Sequence, residues 1–298
     1  MPSGPDSNAA APQVRAFHHR DTGTWSYLVA DPATRAAAIV DPVLDFDPRS
    51  GRTGLASAAA LLERARDDGL RIDWLLETHA HADHLSGAHA LRERLRAQAG
   101  AAPRLAIGRR IGEVRRVFAP LFGLPDGAEP GFDHLFDDDE DFAIGSLPAR
   151  AIPVPGHTQD SLAYLIGDAL FVGDSLFMPD SGTARCDFPG GDAAMLFQSI
   201  QRLYRLPDAT RVFVCHDYGQ GGREPACETS IGAQKRDNLH VRADTGEAEF
   251  VALREARDRS LAVPALILPA LQVNLRGGAL PEPEANGVRY LKLPLDQL

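Results

Sequence analysis

An α/β layered fold is predicted by three observations on the 298-residue chain. Short apolar runs alternate along the chain with stretches whose apolar residues recur at helical spacing. Several of those runs end in a His or Asp at the point where the chain leaves the strand. With 44% hydrophobic residues the chain can also bury a large core. Residues 1–14, rich in Pro, Ser, Ala and Asn, read as a disordered tail, and they lack the basic start and apolar core of a signal peptide. Next come strand-like runs at residues 24–30 and 36–40, then a helical stretch near 55–66. A strand at 72–77 leads into the most informative run of the chain, and Leu85, Ala88, Leu91 and Leu95 continue from it at helical spacing. Further strands are expected at 151–155, 169–172 and 211–215, with a helix near 193–204.

The run Thr78-His79-Ala80-His81-Ala82-Asp83-His84 packs three imidazoles and a carboxylate into six residues. Packing requires no such cluster, and protonated imidazoles repel one another, so the run reads as a metal site. In extended chain His79 and His81 point the same way. If a regular helix begins here, Asp83 and His84 diverge by about 100°, so the run can serve two neighbouring metal positions. The helix N-terminus would then favour the Asp83 charge. By contrast, His18, His19, His89, His134 and His240 stand in no such motif and read as surface or satisfied core residues.

Other ligand-type side chains sit at strand ends. His157 follows Pro155-Gly156 and is expected to be exposed at a turn; Asp174 follows Val172-Gly173, and His216 follows Val214-Cys215. Each is weak alone, since Asp after Gly is commonly a turn residue. In this order, after the His cluster, they form one pattern.

That pattern, His79-x-His81-x-Asp83-His84 followed by His157, Asp174 and His216, resembles the five motifs of the metallo-β-lactamase superfamily. The resemblance implies an αββα sandwich, two mixed β-sheets flanked by helices, with metal bound at one sheet edge. The loop Gly182-Thr183-Ala184-Arg185-Cys186-Asp187-Phe188-Pro189-Gly190-Gly191 is similar to the Arg-x-Asp-Phe loop of the persulfide dioxygenases (sulfur dioxygenases), in particular their bacterial branch. His216-Asp217-Tyr218 and the tail from Leu271 to Tyr290 resemble the same branch.

What this finer resemblance implies is one Fe(II) per subunit bound by His79, His157 and Asp174, the facial triad of non-haem iron oxygenases. His81, Asp83, His84 and His216 would surround the iron and orient its ligands without binding it. Arg185, Tyr218 and Lys235 would hold glutathione, with Arg236 as the alternative to Lys235. The implied reaction consumes glutathione persulfide, or a related low-molecular-weight persulfide, with O2 and water, and gives sulfite and glutathione. The family also suggests a homo-oligomer, a dimer or larger. Two alternatives stay open: a binuclear-zinc hydroxyacylglutathione hydrolase of the glyoxalase II kind using the same residues, and a non-catalytic metal or persulfide sensor.

Bulk properties restrict the setting. A formal charge of −10 argues against nucleic acid, and no apolar run approaches the ~20 residues of a membrane span. Cys186, Cys215 and Cys227, odd in number and widely spaced, suit a reducing cytoplasm, and Cys186 reads as an inert loop thiol. The run Asp137-Asp138-Asp139-Glu140-Asp141 reads as a solvated loop. Because the ligands run from residue 79 to residue 216, a boundary between them would split the site. Residues 15–298 are therefore expected to form a single catalytic domain with a C-terminal extension.

Overall fold

A computed structural model describes residues 11–100, 102–124 and 131–297. In the first half, strands β1 (Gln13–His19), β2 (Thr24–Ala30), β3 (Ala36–Val40), β4 (Val43–Asp47) and β5 (Arg52–Gly54) precede helix α1 (Ala56–Asp67). Then follow β6 (Arg71–Leu76), β7 (Leu85–Ser86), α2 (Ala88–Ala99), β8 (Arg104–Gly108), α3 (Ile111–Phe118) and β9 (His134–Phe136). The second half runs β10 (Asp141–Ile144), β11 (Leu147–Pro153), β12 (Leu162–Ile166), β13 (Ala169–Phe171), α4 (Ala193–Leu203), β14 (Arg211–Phe213) and β15 (Glu228–Ser230). It closes with α5 (Ile231–Asp237), α6 (Glu247–Asp258) and α7 (Ile267–Asn274).

Two six-stranded sheets result, ordered β1-β2-β3-β6-β8-β9 and β10-β11-β12-β13-β14-β15. Both are mixed: β3, β6, β8 and β9 are parallel neighbours in the first, β13 and β14 in the second, and the remaining pairs are antiparallel. The sheets face each other across a core that includes Tyr27, Val29, Tyr164, Phe171 and Phe213. Alternate residues of β2, Leu28 and Ala30, point outward and pack under α1 and α2 with Leu61 and Leu91. Burial on both faces explains why β2 reads as a continuous apolar run rather than a polar-apolar alternation. On the other side α4 and α6 cover the second sheet through Leu196, Ile200 and Phe250. The layers are thus helix, sheet, sheet, helix, as the resemblance implied.

Two boundaries differ from expectation. Gln13 and Val14, assigned to a tail over 1–14, belong to β1 and pair with Ala30 and Val29; residues 1–10 of that tail lie outside the described residues. Nor does a helix begin at the ligand run. Leu85 and Ser86 form β7 against Leu44 and Val43, and α2 starts only after Gly87. Asp83 and His84 therefore sit in a loop, beyond reach of the helix dipole.

The acidic run is exposed and partnered: Asp137 pairs with Arg109, Asp138 with Arg110, Asp139 with Arg202 and Asp141 with Arg150. All three cysteines are free thiols, and burial pushes the Cys186 thiol well up, which keeps it unreactive. Among the described residues no helix is long and apolar enough to cross a membrane.

Candidate metal centre

All the ligand-type residues emerge at one edge of the sandwich. The loop after β6 carries His79, His81, Asp83 and His84; His157 follows β11, Asp174 follows β13 and His216 follows β14. Gly156 makes the approach of His157 possible: its φ is +141°, and a Cβ there would lie 2.4 Å from Leu196 Cα on α4.

The ligand residues expected from the sequence fall into two groups. His79, His157 and Asp174 bring one donor atom each within 4.8 Å of one another, and so do His81, Asp83, His84 and His216. Asp174 joins them. Its Oδ2 lies 4.0 Å from His79 Nε2 and 3.7 Å from His157 Nε2, while its Oδ1 lies 3.4 Å from His216 Nε2. Donors bound at about 2.1 Å to one ion stand no more than ~4.2 Å apart, so these spacings suit metal binding. His157 is buried, not exposed as the sequence suggested.

The unpaired atoms make the stronger case. His79 Nε2, His81 Nδ1, His84 Nε2, His216 Nε2 and Asp174 Oδ1 are buried and have no hydrogen-bond partner among the described residues. Such groups are costly to bury, and a bound cation satisfies them together. Burial and the neighbouring His81 push His84 down to about 4 and hold His79 well below the usual range, so both rings are neutral donors.

Hydrogen bonds behind the ligands choose which ring nitrogen is bare. Thr78 Oγ1 donates to Asp41 at 2.9 Å, leaving its lone pair for His79 Nδ1–H at 3.1 Å, so Nε2 faces the site. His81 donates from Nε2 to Asp41 Oδ1 at 3.0 Å, which leaves Nδ1 for the site. Although burial opposes it, the Asp41 and Glu77 carboxylates raise the ring's affinity for a proton, which a cation at Nδ1 would replace. One buried carboxylate thus orients two histidines. Asp41 itself adopts φ +48°, a conformation costly for a non-glycine residue, and its donors compensate. Although burial opposes it, the His81 charge and the Thr78 donors draw the Asp41 carboxyl below its usual range. Glu77 accepts from Ser86 and stands 3.5 Å from His81 Nε2. From the C-terminal extension, Asn274 donates to the carbonyls of His81 and His84 at 2.8 Å each and accepts from Ser86 N–H at 2.8 Å. Sequence reasoning missed Asp41, Glu77 and Asn274. Only Asp41 carried a signal, an acid between a buried strand and a proline.

Asp83, His157, Asp174 and His216 open onto a cavity of about 570 Å³, in the range of small-molecule sites. Its walls combine the apolar Phe177, Phe188 and Leu266 with polar residues from the 181–185 loop and α6. Of the residues expected to hold substrate, Arg185 and Tyr218 line this cavity. The Tyr218 ring is exposed and lies parallel to His216, with centroids 6.2 Å apart. The Arg185 guanidinium is bidentate on Asp187 at 2.6 Å and donates to Ala262 O at 2.6 Å, and its own carbonyl accepts from His157 Nδ1–H at 2.7 Å.

Lys235 is a correction. It bonds to Asp208 at 2.6 Å and does not line the cavity; Arg236 lies near Asp237 instead. The face of α5 turned inward is that of Gln234, which donates to Phe177 O, and Lys235 falls one position round the helix. Arg257 on α6 lines the cavity where a lysine had been expected. His240 is a second correction: it is buried in the cavity wall with Nε2 unpaired among the described residues, neither surface nor satisfied.

A helix-flanked double sheet with a His/Asp centre at one edge defines a metal-binding enzyme of the αββα class. The chain belongs to the metallo-beta-lactamase superfamily, whose family profile matches residues 19–216. It is 50% identical over 289 residues to a beta-lactamase hydrolase-like protein of Xylella fastidiosa, covering 96% of this chain and 65% of that one. The chain thus spans about two thirds of that relative's length. It is 41% identical over 294 residues to Glyoxylase B2 of Dictyostelium discoideum, with 96% and 98% of the two chains covered. More distantly, it is 27% identical over 196 residues to the human mitochondrial persulfide dioxygenase ETHE1, covering 65% and 64%. Among solved structures, ETHE1 from Myxococcus xanthus superposes with a TM-score of 0.70 at 29% identity, covering 90% of this chain and all of that one.

Proposed function

We propose that the chain is an iron(II)-dependent persulfide dioxygenase acting on glutathione persulfide or a related low-molecular-weight persulfide with O2. The observation that carries this reading is the His79, His157 and Asp174 group, two imidazoles and one carboxylate, of which His157 and Asp174 line an open cavity. Two His and one carboxylate on one face suit iron(II) and leave positions for two further ligands. Bound iron would supply the electron path between sulfane sulfur and oxygen. The chain's own residues do the rest. Thr78 and the Arg185 carbonyl hold the rings of His79 and His157 in register, Phe177 and Phe188 keep part of the wall dry, and Tyr218 flanks the entrance. The similarity to the two ETHE1 proteins supports the same reading.

The proposal includes a homo-oligomer and a cytoplasmic setting, the latter in keeping with three free thiols. An oxygen electrode tests the central claim. Iron-reconstituted protein given glutathione persulfide is expected to consume O2 and form sulfite; absence of uptake overturns it.

A second reading, a binuclear thiolester hydrolase, is favoured by the other ligand group. His81, His84 and His216 gather with Asp83, each ring with a nitrogen that has no hydrogen-bond partner among the described residues, and Asp174 reaches both groups, as a shared ligand of two metals would. The relatives named as hydrolase-like and as a glyoxylase point the same way. Cleavage of lactoylglutathione by zinc-loaded protein, with no oxygen uptake by the iron form, would establish this alternative.

A further inference from the structure

His240 belongs to none of the ligand groups, yet it is built into the cavity wall with 5% exposure. Its Nδ1 receives the Thr183 backbone N–H at 3.0 Å. A backbone amide can only donate, so Nδ1 is the acceptor and a neutral ring carries its proton on Nε2. That Nε2 is buried and has no partner among the described residues. Burial, reinforced by the nearby Arg254 and Arg257, pushes His240 down to about 4 and keeps the ring neutral near pH 7.

The seat of the ring is specific. Gly182, at φ +89°, lies directly beneath it, and a Cβ there would stand 2.2 Å from Nδ1. Asn238 fixes the backbone on either side, accepting from His240 N–H at 2.9 Å and donating to Gly182 O at 3.1 Å. The charges around it are equally defined. Arg254 is committed to Asp258 at 2.7 Å and to Thr183 O at 3.0 Å. Arg257 also lines the cavity and forms no ion pair among the described residues. A buried donor without an acceptor is costly. On this wall the acceptor that satisfies it best is an anion, because an uncompensated guanidinium stands nearby.

We propose that His240 is a substrate-recognition residue, donating from Nε2 to a carboxylate oxygen of the molecule that carries the reacting sulfur, with Arg257 supplying the complementary charge. This deepens the proposed function and rests on its claim that the cavity takes a thiol-borne substrate.

Calorimetric titration of the metal-reconstituted protein with glutathione, and with glutathione dimethyl ester as the probe that lacks both carboxylates, tests it. His240→Phe is expected to weaken glutathione binding roughly tenfold, the scale of one hydrogen bond to a charged group. Binding of the ester should change far less, and in turnover the loss should fall mainly on KM rather than kcat. His240→Gln can present an N–H near the Nε2 position and should recover part of the affinity. Equal weakening for acid and ester, unchanged glutathione affinity, or failure of the wild type to bind glutathione each overturns the proposal. Should His240→Phe not fold, the ¹⁵N–¹H signal of Nε2 in the wild type decides: a shift on adding glutathione supports the contact, and no shift overturns it. His240-dependent glutathione binding by a protein that consumes no oxygen would uphold this inference while removing the oxygenase reading.

Discussion

His157 donates from Nδ1 to the backbone carbonyl of Arg185 at 2.7 Å, so the loop that edges the cavity also fixes which nitrogen of His157 faces the metal position. The Arg185 side chain meanwhile holds that loop against Asp187 and the 262 carbonyl. Main chain and side chain of this one residue therefore do separable jobs. Arg185→Ala keeps the carbonyl, so metal content should stay near that of wild type while KM for the persulfide rises severalfold. Elemental analysis and steady-state kinetics check this; loss of more than half the metal would contradict it.

Asp174 presents one oxygen to His79 and His157 and the other to His216. Asp174→Ala deletes a ligand and the negative charge that balances the cation. It should strip the metal under dialysis that leaves wild type loaded, as measured by elemental analysis. Full retention of iron would remove Asp174 from the ligand set.

Asn274→Leu keeps the branched shape but orphans two carbonyls and an amide that are buried behind the ligand loop. Denaturant unfolding should show a loss of about 3 kcal/mol or more. Competition with a chelator should show metal affinity lowered by roughly ten- to a hundredfold, the scale seen when groups behind metal ligands are removed. Unchanged chelator competition would show that the loop holds its shape without this clamp.

For His240, the folded value of about 4 lies below the ordinary 6.5, so the unfolded chain binds the proton more readily. Its contribution to stability is complete above pH 6.5 and declines as pH falls toward 4. Between pH 7 and pH 5.5 the wild type should lose about 1 kcal/mol more than His240→Gln, after allowance for solvent screening. Urea unfolding at the two pH values measures the difference, and parallel losses in the two proteins would refute it.

Strand ends were the legible part of this molecule. His79, His157, Asp174 and His216 each follow a buried apolar run closely in the chain, so local pattern alone located them. Local pattern misled at Leu85, which fits the helical series with Ala88, Leu91 and Leu95 yet pairs as a strand with Leu44. Asp41 and Asn274 stayed hidden because their partners lie 37 and 193 residues away, and only the closed fold brings them together. Lys235 and Arg257 show the same limit. Which of two cations meets a cavity depends on how each helix is rotated against its neighbours. His240 belonged to no motif at all, since its significance lies in the amide and glycine beneath it.

The clamp from Asn274 also sets an order of events during synthesis. The His81 carbonyl leaves the ribosome 193 residues ahead of the side chain that secures it. A nascent chain therefore displays its imidazoles long before it can shape them, and full affinity for the ion must await release of α7. A shortened translation product lacking that helix would carry every ligand and still be a poor receptacle for metal.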